Sequence, residues 1–318
     1  MILNTKAKNI SVWSSLLVAV VIMLTVGMAF GGASKEAQKQ KMFTSAEEAV
    51  KVAITAVKNN DDKEIIAILG PSAKDLIFSG DAVADKERRA QFIKLYDEKN
   101  SLVSEKAGMI LVIGNKDWPF PIPVVKKGDA WFFDTDKGKD EILNRRIGNN
   151  ELSTVQSMLA IVDAQREYAM FDRDGNGVTD YAQKFLSDPG KKNGLYWKTK
   201  EGEELSPLGE FLAGGQLDQH AKAKSKQTPV PYQGYYYRLL KKQGKNARGG
   251  AFDYMVKDKM IGGFAVVAYP ATYGNSGVMT FMVNHDGEVY QKNLGKNTAK
   301  TAKAMNVFDP DAGWKKVE

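Results

Sequence analysis

The sequence predicts an α+β protein of two domains, and three observations carry that reading. Helical periodicity dominates residues 44–100, extended segments dominate 108–135, and the order of helix then strand repeats after residue 150. Helices first and strands afterwards point to segregated α+β layers, not to alternating βαβ units. A length of 318 residues suits about two ordinary cores. The boundaries read from the chain are 1–33 for an export segment, 42–148 for an N-terminal α+β domain and 149–318 for a C-terminal one.

The export segment rests on charge and apolarity. Lys6 and Lys8 precede an uncharged apolar run, and the stretch from Val12 to Phe30 holds 19 residues, enough to span a bilayer if uncut. Gly31 and Ala33 suit the minus-three and minus-one positions of a cleavage site. The expectation is a cleaved signal peptide, or else an uncleaved anchor, with the body delivered to the periplasm or cell envelope.

In the first domain "TSAE" (44–47) matches a capping box, with Thr44 accepting from Glu47 and Glu47 reaching back. Ala46, Ala49, Val50, Ala53, Ile54 and Val57 then form one apolar stripe. A second helix stops at Gly70-Pro71, and residues 85–100 predict a third. "GMILVIG" (108–114) predicts a strand, the prolines of "PFPIPVV" (119–125) forbid helix, and Gly128-Asp129 turns a hairpin. Residues 136–150 are expected to form a short helix and a connector, in which Arg145 and Arg146 are surface groups pairing local acids or gripping an anion.

In the second domain Leu152, Val155, Leu159, Val162 and Ala169 line one face of a helix of about five turns. Strands follow at 235–240, 263–269 and 278–291, the last folded into a hairpin at His285-Asp286-Gly287.

The helix runs into "FDRDGNGVTDYAQ" (171–183), whose oxygens follow the spacing of a calcium loop. Side-chain donors fall at loop positions one, three and five (Asp172, Asp174, Asn176), glycine at six (Gly177) and a backbone carbonyl at seven (Val178). Asp180 takes position nine, and Gln183 stands where a bidentate Glu is usual. Calcium is therefore the expected cofactor, structural in role, since close carboxylates repel unless a cation holds them. The alternative is a polar turn held by local bonds.

The formal charge is +7, cysteine is absent, and His220 and His285 are the only histidines. Thiolate chemistry is thereby excluded and catalytic zinc disfavoured. The lysines of "HAKAKSKQTP" (220–229) read as a solvated linker without nucleic-acid motifs, so no nucleic-acid partner is expected. No Ser-, nucleotide- or metal-hydrolase motif occurs. Glu203, Glu204 and Asp258 are acid/base candidates, His285 reads as an exposed turn residue, and the aromatics of "YQGYYY" (232–237) read as strand packing more than as a stacking site.

The combination of "DWPFPIPVV", "RRIGNNEL", "DRDGNGVTDYAQ", "GLYW", "SPLG", "GYYYRLL", "GGFAVVAYPATYGNSGVMTFMVN" and "FDPDAGW" resembles the bacterial family catalogued as domain of unknown function 2950. The resemblance covers nearly all of the chain after the export segment; it implies an exported protein and no particular reaction. Residues 44–135 resemble the scytalone dehydratase-like cone fold, and 151–292 resemble the globular head of type IV pilins and pseudopilins. The reading that follows is an exported, non-catalytic binding or scaffold protein with a calcium-stabilised second domain and an envelope protein or polymer as partner. Membrane contact is expected only through an uncleaved N-terminus. The alternatives are an envelope hydrolase with Asp/Glu in an inter-domain cleft, and a pilus- or secretion-associated subunit.

Overall fold

The computed structural model describes residues 39–106, 108–208 and 231–318, so the export segment, His220 and the lysine run at 220–229 lie outside the described residues. The first helix, α1 (Ala46–Lys58), begins with a capping box set one residue later than the sequence suggested. Ser45 Oγ accepts from the Glu48 N–H at 3.1 Å, and Glu48 Oε2 accepts from the N–H and Oγ1 of Thr44 at 2.8 and 2.6 Å. "SAEE" has the same spacing as "TSAE", and this register turns Ala46, Ala49, Val50 and Ile54 inward. The next helix, α2 (Asp62–Leu69), stops at Gly70, whose φ of +87° few L side chains adopt. A 3-10 turn from Pro71 then feeds α3 (Lys74–Ile77), and Asp81 caps α4 (Ala82–Glu98).

The first sheet is antiparallel, with β1 (Asn100–Glu105), β2 (Gly108–Ile113), β4 (Val124–Lys127) and β5 (Ala130–Phe133) in that order and β3 (Trp118–Pro119) paired to β2. β1 is mostly exposed and carries no strand alternation; pairing with β2 over Asn100–Glu105 recruits it. α1, α2 and α4 pack on this sheet around Ile54, Ile68, Leu111, Ile113 and Phe133, leaving an apolar cavity of about 50 Å³.

The expected connector does not exist. Thr135–Tyr168 is one helix of 34 residues, α5, and the boundary at 148/149 falls inside it. Glycine in a helix interior costs roughly 1 kcal/mol, and packing offsets it: a Cβ at Gly138 would overlap the Pro121 carbonyl, so the bare backbone lets helix and loop touch. The first part of α5 reaches α3 and the first core, whereas Met158, Ile161, Val162, Ala164 and Tyr168 enter a second core.

That second core is built on β6 (Tyr235–Leu240), β11 (Ala265–Pro270), β12 (Met279–Asn284), β13 (Val289–Asn293) and β14 (Lys315–Lys316), an antiparallel sheet in this order. It has five strands rather than the four expected. Two ribbons intervene, β7 (Lys242–Gln243) with β8 (Phe252–Asp253), and β9 (Met255–Val256) with β10 (Lys259–Met260). Every residue of β11 is buried, which a strand achieves only when both faces are covered. Both α5 and the last helix, α6 (Thr298–Ala304), pack against it. Arg238 of β6 donates to the Ala302 carbonyl at 2.8 Å and to that of Met305, closing the C-terminal end of α6. The molecule is thus α+β, and no described helix is long and apolar enough to cross a membrane.

Candidate functional site

Two polar clusters stand out, the loop after α5 and a buried junction where the two cores meet. In the loop, Gly175 and Gly177 take φ values of +71° and +83°, which curl the chain around Asp172. Asp172 Oδ1 accepts from the N–H groups of Gly175 and Asn176 at 2.9 and 3.2 Å, and Oδ2 accepts from Gly177 at 2.6 Å. These bonds, that of Gly177 foremost, hold the Asp172 carboxyl below its ordinary range. Asn176 Nδ2 donates to Asp174, and Asn176 Oδ1 accepts from Val178 at 2.9 Å.

A cation of the protein itself lies beside these acids. Lys259, from β10, pairs with Asp174 and lies 3.9 Å from Asp180, whose side chain is 13% exposed. Burial pushes the Asp180 carboxyl up, with Lys259 opposing the shift; the bond to Asp174 raises the Lys259 ammonium. Gln183 is engaged elsewhere, donating to the Asp258 carbonyl at 2.7 Å and accepting from Lys241 at 3.3 Å. The structure therefore brings Asp172, Asp174 and Asn176 together, links Asp180 through Lys259, and gives Gln183 other partners. Calcium needs six to eight oxygens aimed at one point. Here both Asp172 oxygens face backbone N–H groups, and among the described residues no group of three or more His, Asp or Glu is disposed to hold a metal. Arg173, its side chain 7% exposed, pins the loop: the guanidinium lies over Phe171, Trp197 and Tyr168 at 4.9, 5.2 and 5.3 Å and pairs with Glu204 at 2.5 Å. Sequence reasoning missed Lys259 and Arg173, because neither a lysine 85 residues downstream nor an arginine between two loop donors is a local signal.

At the junction, Asp81 is 1% exposed and accepts from Ala84 at 3.1 Å and from Gly234 at 2.9 Å, spanning 153 residues with the second bond. Asp85 accepts from the Ser79 N–H and from Arg88, both at 2.9 Å; Arg88 also donates to Asn150 at 3.0 Å, and Asn150 donates to the Ser276 carbonyl at 2.8 Å. Glu151 accepts from the N–H groups of Val278 and Met279, each at 2.9 Å. Arg145 behaves as expected, pairing with Glu141 at 2.7 Å. Arg146 does not: it is 7% exposed and donates to the carbonyls of Asp75 (2.8 Å) and Leu76 and to Asn275. Burial, followed by the neighbouring Arg88, lowers its pKa to about 10. Helical phase decides between the two arginines, since successive residues face 100° apart.

Most of the remaining candidates bond or pack within the protein. Glu204 pairs with Arg173 and Lys192, Glu203 accepts from the Lys200 N–H at 3.1 Å, and Asp258 offers Gln183 its carbonyl. Tyr235 is buried, Tyr236 pairs across strands with Tyr269 at 5.6 Å, and burial pushes Tyr237 up to about 12. His285 is not an exposed turn residue. Its ring stacks edgewise on Tyr254 at 5.6 Å and on Phe264 at 6.4 Å, with Nδ1 buried and without a hydrogen bond. The reason is Gly263, where a Cβ would stand 2.6 Å from Nδ1 and expel the ring.

No match is found among curated proteins or among solved structures. Residues 40–317, most of the chain, match the family described as protein of unknown function (DUF2950), and the chain belongs to that family.

Proposed function

We propose that this is an exported, non-catalytic binding or scaffold protein of the cell envelope, its cone-like and pilin-head-like halves acting as two domains. The observation that carries the reading is the saturation of the acids at the junction. Asp81, Asp85 and Glu151, the carboxylates nearest the meeting of the cores, each hold backbone N–H groups or an arginine. A general acid or base must exchange its proton with a substrate, and groups so occupied serve the junction instead. In the same reading calcium is a structural ligand of the loop, with Asp172, Asp174, Asn176, Asp180 and the Val178 carbonyl as donors and Lys259 as the competing cation.

Thermal unfolding of the wild type and of Lys259→Ala, with calcium, magnesium or chelator, tests the metal. Calcium should raise the melting temperature, and more in the variant; indifference of both proteins would remove the metal. Generic ester, phosphate, glycoside and peptide substrates test catalysis, and turnover abolished by Asp85→Asn would overturn the non-catalytic reading. A phosphatase reporter fused after residue 43 tests export, with an inactive fusion counting against it.

A further inference from the structure

Beside the junction lies an open cleft of about 500 Å³, within the range that small ligands use, between the α1–α2 turn, the end of α3 and the first turns of α4. Lys86 and Arg89, one helical turn apart on α4, line it together with Asn60, Asp62, Ile77 and Phe78. Phe78 is 42% exposed at this cleft, an apolar ring presented beside cations.

The charges are unequal in what they leave free. Asp85 is neutralised by Arg88, and Asp62 meets Arg89 at 2.7 Å. That second pair is poorly aligned, because Asp62 Oδ1 is buried and makes no hydrogen bond of acceptable angle. Lys86 has no counter-ion among the described residues and is exposed. Arg88 meets Asp85 from outside the lining and Arg89 meets Asp62, so among the lining charges Lys86 supplies the one positive charge left unbalanced. A site with one spare charge and two fixed carboxylates favours a monoanion over a dianion, since a second negative charge would face Asp62.

We propose that this cleft binds a small carboxylate carrying an apolar body, the carboxylate meeting Lys86 and Arg89 and the body lying on Phe78 and Ile77. The inference deepens the binding-protein reading and rests on it.

Phenylacetate, N-acetylphenylalanine, benzyl alcohol, benzylamine and methyl phenylacetate are the probes, titrated into the full chain in detergent and followed by calorimetry and backbone amide shifts. Phenylacetate should bind and move amides of residues 60–62 and 77–89, whereas benzylamine should not. Tighter binding of N-acetylphenylalanine would identify the source as a peptide C-terminus, and tighter binding of phenylacetate a free acid; either supports the cleft. Lys86→Glu should weaken phenylacetate about fivefold or more, as expected for reversing one partly exposed ion pair. Lys94→Glu, the same charge change on an exposed residue of α4, should leave binding intact. Phe78→Ala should weaken phenylacetate and benzyl alcohol alike. Equal affinity for benzyl alcohol and phenylacetate, an unchanged constant in Lys86→Glu, or shifts confined to other residues would overturn the assignment. Hydrolysis of methyl phenylacetate would overturn the non-catalytic reading while phenylacetate binding still upheld the cleft, so the two failures are distinguishable.

Discussion

Arg146 and Lys259 do comparable work under opposite conditions. At the junction, Arg146 is 7% exposed and bonds only carbonyl and amide oxygens, from Asp75, Leu76 and Asn275. At the loop, Lys259 is part-exposed and meets the carboxylates Asp174 and Asp180. The buried cation is held by directional bonds to neutral groups, whereas the exposed one answers a local excess of negative charge in water. Burial decides what each is worth: an unsatisfied buried polar group costs about 1–3 kcal/mol, while an exposed ion pair contributes about 0–1 kcal/mol. The junction should therefore set stability and the loop should tune it.

The largest effect expected follows from emptying the junction. Arg146→Ala orphans two backbone carbonyls and the Asn275 amide, and should cost about 3 kcal/mol in urea unfolding. Arg146→Met sharpens the contrast by restoring volume without donors. Recovery of more than half the loss would show that packing, not hydrogen bonding, fastens the cores.

Next comes Arg173→Ala, which strips the loop of its aromatic stack and of the bond to Glu204. The loss should be about 1–2 kcal/mol, from a cation largely withdrawn from water, with faster proteolysis near 171–183. An unaltered cleavage rate would mean that the glycine turn holds itself.

Lys259→Ala should be milder, and the penalty should shrink in high salt because the pair is part-exposed. A salt-independent loss as large as that of Arg146→Ala would break the comparison.

The smallest effect concerns acid. Folding lowers the Asp172 pKa, so its contribution is complete above the unfolded value near 4 and is lost as pH falls through the folded value. Folding raises the Asp180 pKa, so its ionised form opposes folding, and stability is regained as pH falls through the folded value toward the unfolded one. Asp172→Asn should make the acid limb of the stability curve shallower, and Asp180→Asn should make it steeper. Identical limbs in both variants would show that neither carboxyl governs acid stability.

Much of the fold was legible because its signals are local. Gly70-Pro71 stopped α2, Gly128-Asp129 turned β4 into β5, and His285-Asp286-Gly287 turned β12 into β13, each through the backbone freedom or restriction of the residues themselves. Misreadings occurred where two local solutions were nearly equal or where a distant partner outvoted a local preference. "TSAE" and "SAEE" both satisfy a capping box, and only the inward face of α1 selects the second. Gly148 and its neighbouring asparagines signal a break, yet Asn150 is fastened to Arg88 and Ser276, so the helix continues through them.

The sequence by itself determined the α+β class, most strand and helix segments, and the tight turn at Asp172–Gly177, because propensity, apolar period and glycine conformation act over a few residues. Only the tertiary structure decided that Arg146 is buried, that α5 is one helix serving two cores, and that Lys259 stands beside the loop acids. Those outcomes depend on pairs 129 and 85 residues apart in the chain, Arg146 with Asn275 and Lys259 with Asp174. No spacing rule reaches that far; folding brings such groups together, and the loss of water around them sets their energy.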